Sequence, residues 1–156
     1  MASLVIRKAE AADADLVIRF VHGLAEYEKL EGPTPEGEAR IREHGWGADP
    51  RFEVLLAFEA DTAVGFAIYF YTYSTFAARP SLYLEDLFVY PEFRGRGYGK
   101  ALLVALAAEA RERADQSRPG DLNPAYLYGC ADQFERNAQA VRDVIDQVRS
   151  AKEERE

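Results

Sequence analysis

The sequence predicts an α/β (α+β) domain, a central sheet flanked by helices, on three observations. A short apolar run is followed at once by helical periodicity, an aromatic and β-branched middle reads as several strands, and one strand leads through alternate glycines into an amphipathic helix. At 156 residues, 48% of them hydrophobic, the chain suffices for one buried core and would crowd two.

Leu4, Val5 and Ile6 open the chain as a strand. Asp13 then stands as N-cap before Leu16, Val17, Phe20, Val21 and Leu24, whose spacing gathers them on one helical face. That helix is expected to fade at Tyr27-Glu28-Lys29, because Glu31-Gly32-Pro33-Thr34-Pro35 is rich in helix-breaking and turn-forming residues. A shorter helix over 36–44 comes next, then a loop over 45–50 in which Trp46 is expected to pack at the edge of the core.

Residues 52–58 and 64–73 read as two strands joined tightly enough for a hairpin. A third strand over 82–89 is stopped by Pro91. The helix expected over 99–114 carries Leu102, Leu103, Leu106, Ala107 and Ala110 on one face. Beyond Asp115 the composition changes, with a linker at 116–120 and a polar helix over 132–156. Phe134, Ala138, Val141, Ile145 and Val148 alternate spacings of four and three, the seam of a short coiled coil.

Several function classes are excluded by composition. Cys130 is the only cysteine, so neither an internal disulfide nor a cysteine metal cluster is expected, and His22 and His44 are too few for a zinc site. The formal charge of −8 opposes general nucleic-acid binding, which needs a basic face, and favours cationic partners instead. No stretch approaches the roughly 20 apolar residues of a membrane helix. Met1-Ala2-Ser3-Leu4 lacks the layout of a signal peptide, so the expected location is cytoplasmic, away from membranes.

The most informative stretch runs from Leu82 to Ala110, where a strand with Glu85 and Asp86 enters the loop Arg94-Gly95-Arg96-Gly97-Tyr98-Gly99 ahead of a helix. Alternate glycines make sense where the backbone must approach a ligand, because successive N–H groups then converge on anionic oxygens at a helix N-terminus. Arg94, Arg96 and Lys100 add positive charge there. A dinucleotide-binding fold places its glycine loop after the first strand, and a triphosphatase loop needs a hydroxyl after its lysine, whereas Gly99-Lys100-Ala101 has none.

Arg94-x-x-Gly97-x-Gly99 resembles the signature of the GNAT superfamily of N-acetyltransferases. Val5-Ile6-Arg7, Ala11-Ala12-Asp13, Leu24-Ala25-x-Tyr27-Glu28, Gly65-Phe66-Ala67 and Leu82-Tyr83-Leu84-Glu85-Asp86-x-Phe88-Val89 look like its spermidine/spermine (diamine) acetyltransferase branch. The resemblance implies an acetyl-CoA-binding core over 1–115, built on a mixed, mostly antiparallel sheet, and an atypical tail over 116–156. It also implies that the pantetheine arm pairs with the strand at Leu87, Phe88 and Val89, and that the diphosphate rests on Arg94, Gly95, Arg96, Gly97, Tyr98, Gly99 and Lys100.

Acetyl transfer needs a neutral amine nitrogen, a base for its proton and an acid for the departing thiolate. Glu85 is the candidate base, and by resemblance Tyr27, Glu28 and Glu85 line the site of a small cationic amine. The family's acid is a tyrosine on a later helix. Here Asn123-Pro124-Ala125-Tyr126-Leu127-Tyr128 echoes that helix at altered spacing, leaving Tyr128 as candidate acid and Tyr126 behind it. The divergence fits a changed C-terminus, a strand lent by a partner, or a reading-frame change, the last two together being favoured. An uncovered sheet edge then favours a homodimer. Two functions follow: an N-acetyltransferase for polyamines, diamines or basic amino-acid analogues, and an acetyl-CoA-binding sensor or interaction protein with little catalysis.

Overall fold

The computed structural model describes residues 3–76 and 78–116. Its elements are β1 (Leu4–Lys8), α1 (Ala14–Glu28), α2 (Pro35–Trp46), β2 (Glu53–Glu59), β3 (Thr62–Ser74), β4 (Arg79–Val89) and α3 (Tyr98–Gln116), with short 3-10 turns at Ala11–Asp13 and Pro91–Phe93. The strands form one sheet in the order β1-β2-β3-β4. β1 and β2 run antiparallel with Leu4 opposite Glu59, as do β2 and β3 with Glu53 opposite Tyr69. The Tyr90 N–H donates to the Val64 carbonyl at 3.0 Å, which sets the end of β4 beside the start of β3 and makes this pair antiparallel too. The α/β class and the order of elements expected from sequence up to the helix after the glycine loop are therefore present.

Burial explains why the middle of the chain reads as nearly continuous apolar strands. Val54, Leu56, Phe66, Ile68 and Phe88 cluster with Val17 and Phe20 of α1. Leu55, Ala57, Ala67 and Tyr69, at the alternate positions of β2 and β3, are buried as well, so the central strands are covered on both faces. Phe20 fixes α1 on the sheet, stacking on Phe66 at 5.1 Å and on Tyr90 at 4.8 Å. The register shifts between Ala57 and Phe58, which pair with Gly65 and Ala63, so Val64 bulges out of the β2 ladder.

Local departures from the sequence reading have local causes. Asp13 does occupy the N-cap position of α1, but its carboxylate caps no α1 N–H. It accepts instead from Arg7 Nη1 and Nη2, at 2.7 and 3.0 Å, and from the Glu10 N–H at 2.8 Å. α2 starts where Thr34 accepts the Gly37 N–H at 3.1 Å and runs two residues past His44. Trp46 ends it, packed edge-on against Phe52 at 6.1 Å and donating to the Ala9 carbonyl at 3.3 Å. The core-edge role expected for Trp46 is what the structure shows.

The chain divides into two compact units. The first joins residues 1–72 with 82–102, and the second includes, among the described residues, 73–76, 78–81 and 103–116. The second unit contributes the buried Leu106, Ala107 and Ala110 of α3. The coiled-coil seam, Cys130, Tyr126 and Tyr128 lie outside the described residues.

Candidate active site

All the site elements described below belong to the first unit. β4 ends at Val89, the Pro91–Phe93 turn redirects the chain, and α3 starts at Tyr98. Gly95 and Gly97 have φ of 78° and 82°, in the left-handed region where a Cβ is unfavourable. A Cβ on either would meet no atom within 4 Å, so their requirement is conformational and not steric. Gly99 differs: a Cβ there would lie 3.5 Å from Leu87 Cδ2, an ordinary contact, so nothing local demands glycine.

The Ala101 N–H donates to the Gly97 carbonyl at 3.0 Å, a helical bond spanning four residues. The N–H groups of Tyr98, Gly99 and Lys100, in the first turn of α3, therefore precede the helical ladder and stand at the positive end of the helix dipole. With two left-handed glycines just upstream, this backbone fits an anionic ligand such as a diphosphate.

The two loop arginines have specific partners. Arg94 Nε donates to the Val89 carbonyl at 2.8 Å, and its guanidinium lies over the Tyr27 ring at 4.2 Å and the Phe88 ring at 5.4 Å. Arg94 thus joins the last turn of α1 to the end of β4. Arg96 is turned toward the end of β2, where Nη1 contacts both Glu59 carboxylate oxygens at 2.9 and 3.2 Å. Its guanidinium also lies 5.3 Å from the Phe93 ring centre. The Tyr98 hydroxyl donates to the same Glu59 carboxylate. These bonds, Tyr98 first, hold the Glu59 carboxyl below its ordinary range, and the Tyr98 hydroxyl is correspondingly raised.

Three acids lie at the end of α1 and on β4: Glu28, Glu85 and Asp86. Tyr27 is exposed and its ring centre lies 6.3 Å from that of Phe88. Glu28 and Glu85 are exposed, whereas Asp86 is half-buried. Burial, reinforced by the negative charges of Glu85 and Glu28, raises the Asp86 carboxyl above its ordinary value. Three carboxylates therefore share one field, which suits a cation. They do not approach closely enough to form a metal-ion cluster among the described residues.

The structure joins Tyr27, Phe88 and Arg94 through ring contacts, and Glu28, Glu85 and Asp86 through their charges. Leu87 lies against Gly99, Phe88 and Val89 are buried, and Lys100 is in the first turn of α3. Sequence reasoning gave no role to Glu59, because an acid at a strand end reads as a turn residue. Its pairing with Arg96, 37 positions away, exists only through the β2–β3–β4 meander. Asp86 has no role assigned from sequence, and only its burial next to other acids marks it out.

A model of the acetyltransferase (GNAT) family matches residues 21–118. Thialysine N-epsilon-acetyltransferase of Sus scrofa is 36% identical over 121 residues, covering 72% of this chain and 71% of the relative. Spermidine/spermine N(1)-acetyltransferase-like protein 1 of Homo sapiens is 33% identical over 109 residues, covering 65% of this chain and 16% of that much longer protein. Among solved structures, a ribosomal-protein-alanine N-acetyltransferase from Brucella melitensis biovar Abortus 2308 superposes with a TM-score of 0.58 at 21% identity. It covers 72% of this chain and 74% of its own, and supports the fold alone.

Proposed function

Because the chain belongs to the acetyltransferase (GNAT) family, we propose that it transfers the acetyl group of acetyl-CoA to a primary amine of a small cationic substrate. Polyamines, diamines and basic amino-acid analogues such as thialysine are the substrate class. The observation that carries this reading is the loop at the start of α3, where left-handed Gly95 and Gly97 and the N–H groups ahead of the helical ladder suit a diphosphate, with Arg94 of the same loop lying over the Tyr27 ring.

Acetyl-CoA supplies the acetyl group as an activated thioester. The main chain at Leu87, Phe88 and Val89 would hold the pantetheine arm, and the backbone of Gly95, Gly97, Tyr98, Gly99 and Lys100 the diphosphate. The direct diphosphate contact expected of the arginine side chains is replaced in this reading by a positioning role. Arg94 fixes the loop to β4, and Arg96 fixes it to Glu59. Glu28 and Asp86 hold the distal ammonium of the amine beside Tyr27. Glu85 accepts the proton of the reacting ammonium, directly or through one water, so that the nitrogen lone pair is free to form the amide bond as the thioester C–S bond breaks. Tyr128, the expected proton donor to sulfur, lies outside the described residues.

The test is acetyl-CoA-dependent product formation over a panel of diamines, polyamines and lysine analogues. Turnover with dicationic amines and none with neutral ones supports the reading. A folded protein that binds CoA and acetylates none of them supports the sensor reading instead. We also propose a cytoplasmic location and a homodimeric state. Light scattering tests the pairing, and a monomer at micromolar concentration rejects it.

A further inference from the structure

We propose that Glu59, at the end of β2, is the positioning residue of the cofactor loop, tethering it from behind through Arg96 and Tyr98. This rests on the acetyl-CoA reading above and goes beyond it, since Glu59 lies outside the glycine signature. Two left-handed glycines flank Arg96, so the segment has little conformational stiffness of its own. Its front is fixed by Arg94 on the Val89 carbonyl. Its back is fixed by the Glu59 carboxylate, which receives both Arg96 Nη1 and the Tyr98 hydroxyl.

The charge balance has a definite sense. With Arg96 paired to Glu59, the pair presents no net charge, and a diphosphate is left to the amide N–H groups at the start of α3. Glu59 then aids binding by holding those donors in place before the ligand arrives, which reduces the ordering that binding requires. Its depressed protonation range keeps the carboxylate charged well into acid.

The opposite role is separable by sign. If Arg96 touched the diphosphate itself, Glu59 would compete for it, and removing Glu59 would tighten binding. Calorimetric titration of CoA should therefore give a Kd for Glu59→Ala about tenfold weaker than the parent chain, equivalent to ~1.4 kcal/mol. Arg96→Ala, which leaves the Glu59–Tyr98 bond in place, should lose less, and the double variant should match Glu59→Ala within about twofold, because Arg96 acts through Glu59. Glu59→Gln, whose amide oxygen still accepts from Tyr98, should recover part of the loss. Turnover at saturating acetyl-CoA and the KM for the amine should stay unchanged, which a general loss of structure would not allow.

A readout without ligand completes the test. Backbone ¹⁵N order parameters for residues 95–98 should fall in free Glu59→Ala relative to the parent. Unchanged order parameters, or a Kd that is unchanged or tighter in Glu59→Ala, overturn the tether. A parent chain with no affinity for CoA overturns the functional reading instead, while the order parameters still decide whether Glu59 anchors the loop.

Discussion

Glu85 and Asp86 are consecutive on β4, yet their surroundings differ. Glu85 is exposed, where it can exchange a proton with an incoming amine, so Glu85→Gln should lower kcat by about 10²-fold or more while leaving CoA affinity intact. Steady-state kinetics with a separate binding titration checks both halves. Asp86 is half-buried beside like charges, and its carboxyl binds its proton more tightly in the folded chain than in the unfolded one. Folding stability is therefore lost as pH rises from the ordinary carboxylate range through the raised value, and regained in acid. Asp86→Asn should accordingly be more stable than the parent at neutral pH, with the difference vanishing in acid, and should show a higher KM for dicationic amines. Thermal denaturation across pH reads the first effect and amine titration the second.

At the scale of elements, β3 approaches β4 closely at Gly65. A Cβ on Gly65 would lie 2.8 Å from the Phe88 carbonyl oxygen and 3.0 Å from Val89 Cγ2. Gly65→Ala must push β4 away at the residues assigned to the pantetheine arm, so it should destabilise by about 2 kcal/mol and raise the KM for acetyl-CoA. Chemical denaturation and kinetics report the two consequences. Periodicity and turn chemistry made these elements legible, since Phe20 and Leu24 mark one helical face and Pro91 stops a strand wherever they occur. Side-chain partnerships were less legible. Asp13 has the composition of a helix cap but turns to Arg7, and Glu59 acquires its meaning from an arginine brought to it by two strand crossings. In both cases the deciding partner is set by tertiary packing, which local sequence does not encode.

For the whole molecule, the formal charge of −8 acts on the substrate over distance. Raising the salt from low to about physiological concentration shortens the screening length to about 8 Å, so kcat/KM for a polyamine should fall severalfold while that for a monoamine changes less. A kinetic series in sodium chloride reads this directly, and equal slopes for the two amines would remove the electrostatic contribution. Family membership and the glycine loop were readable from one short stretch, because a backbone that binds an anion must have its glycines at fixed positions. The acidic group was readable only in part, because Asp86 gains its character from burial. Trp46 is the chain's single tryptophan, and its indole ties the end of α2 to the Ala9 carbonyl, just after β1. The protein thus carries one indole, whose emission under selective excitation reports the seating of α2 against the segment after β1 during unfolding.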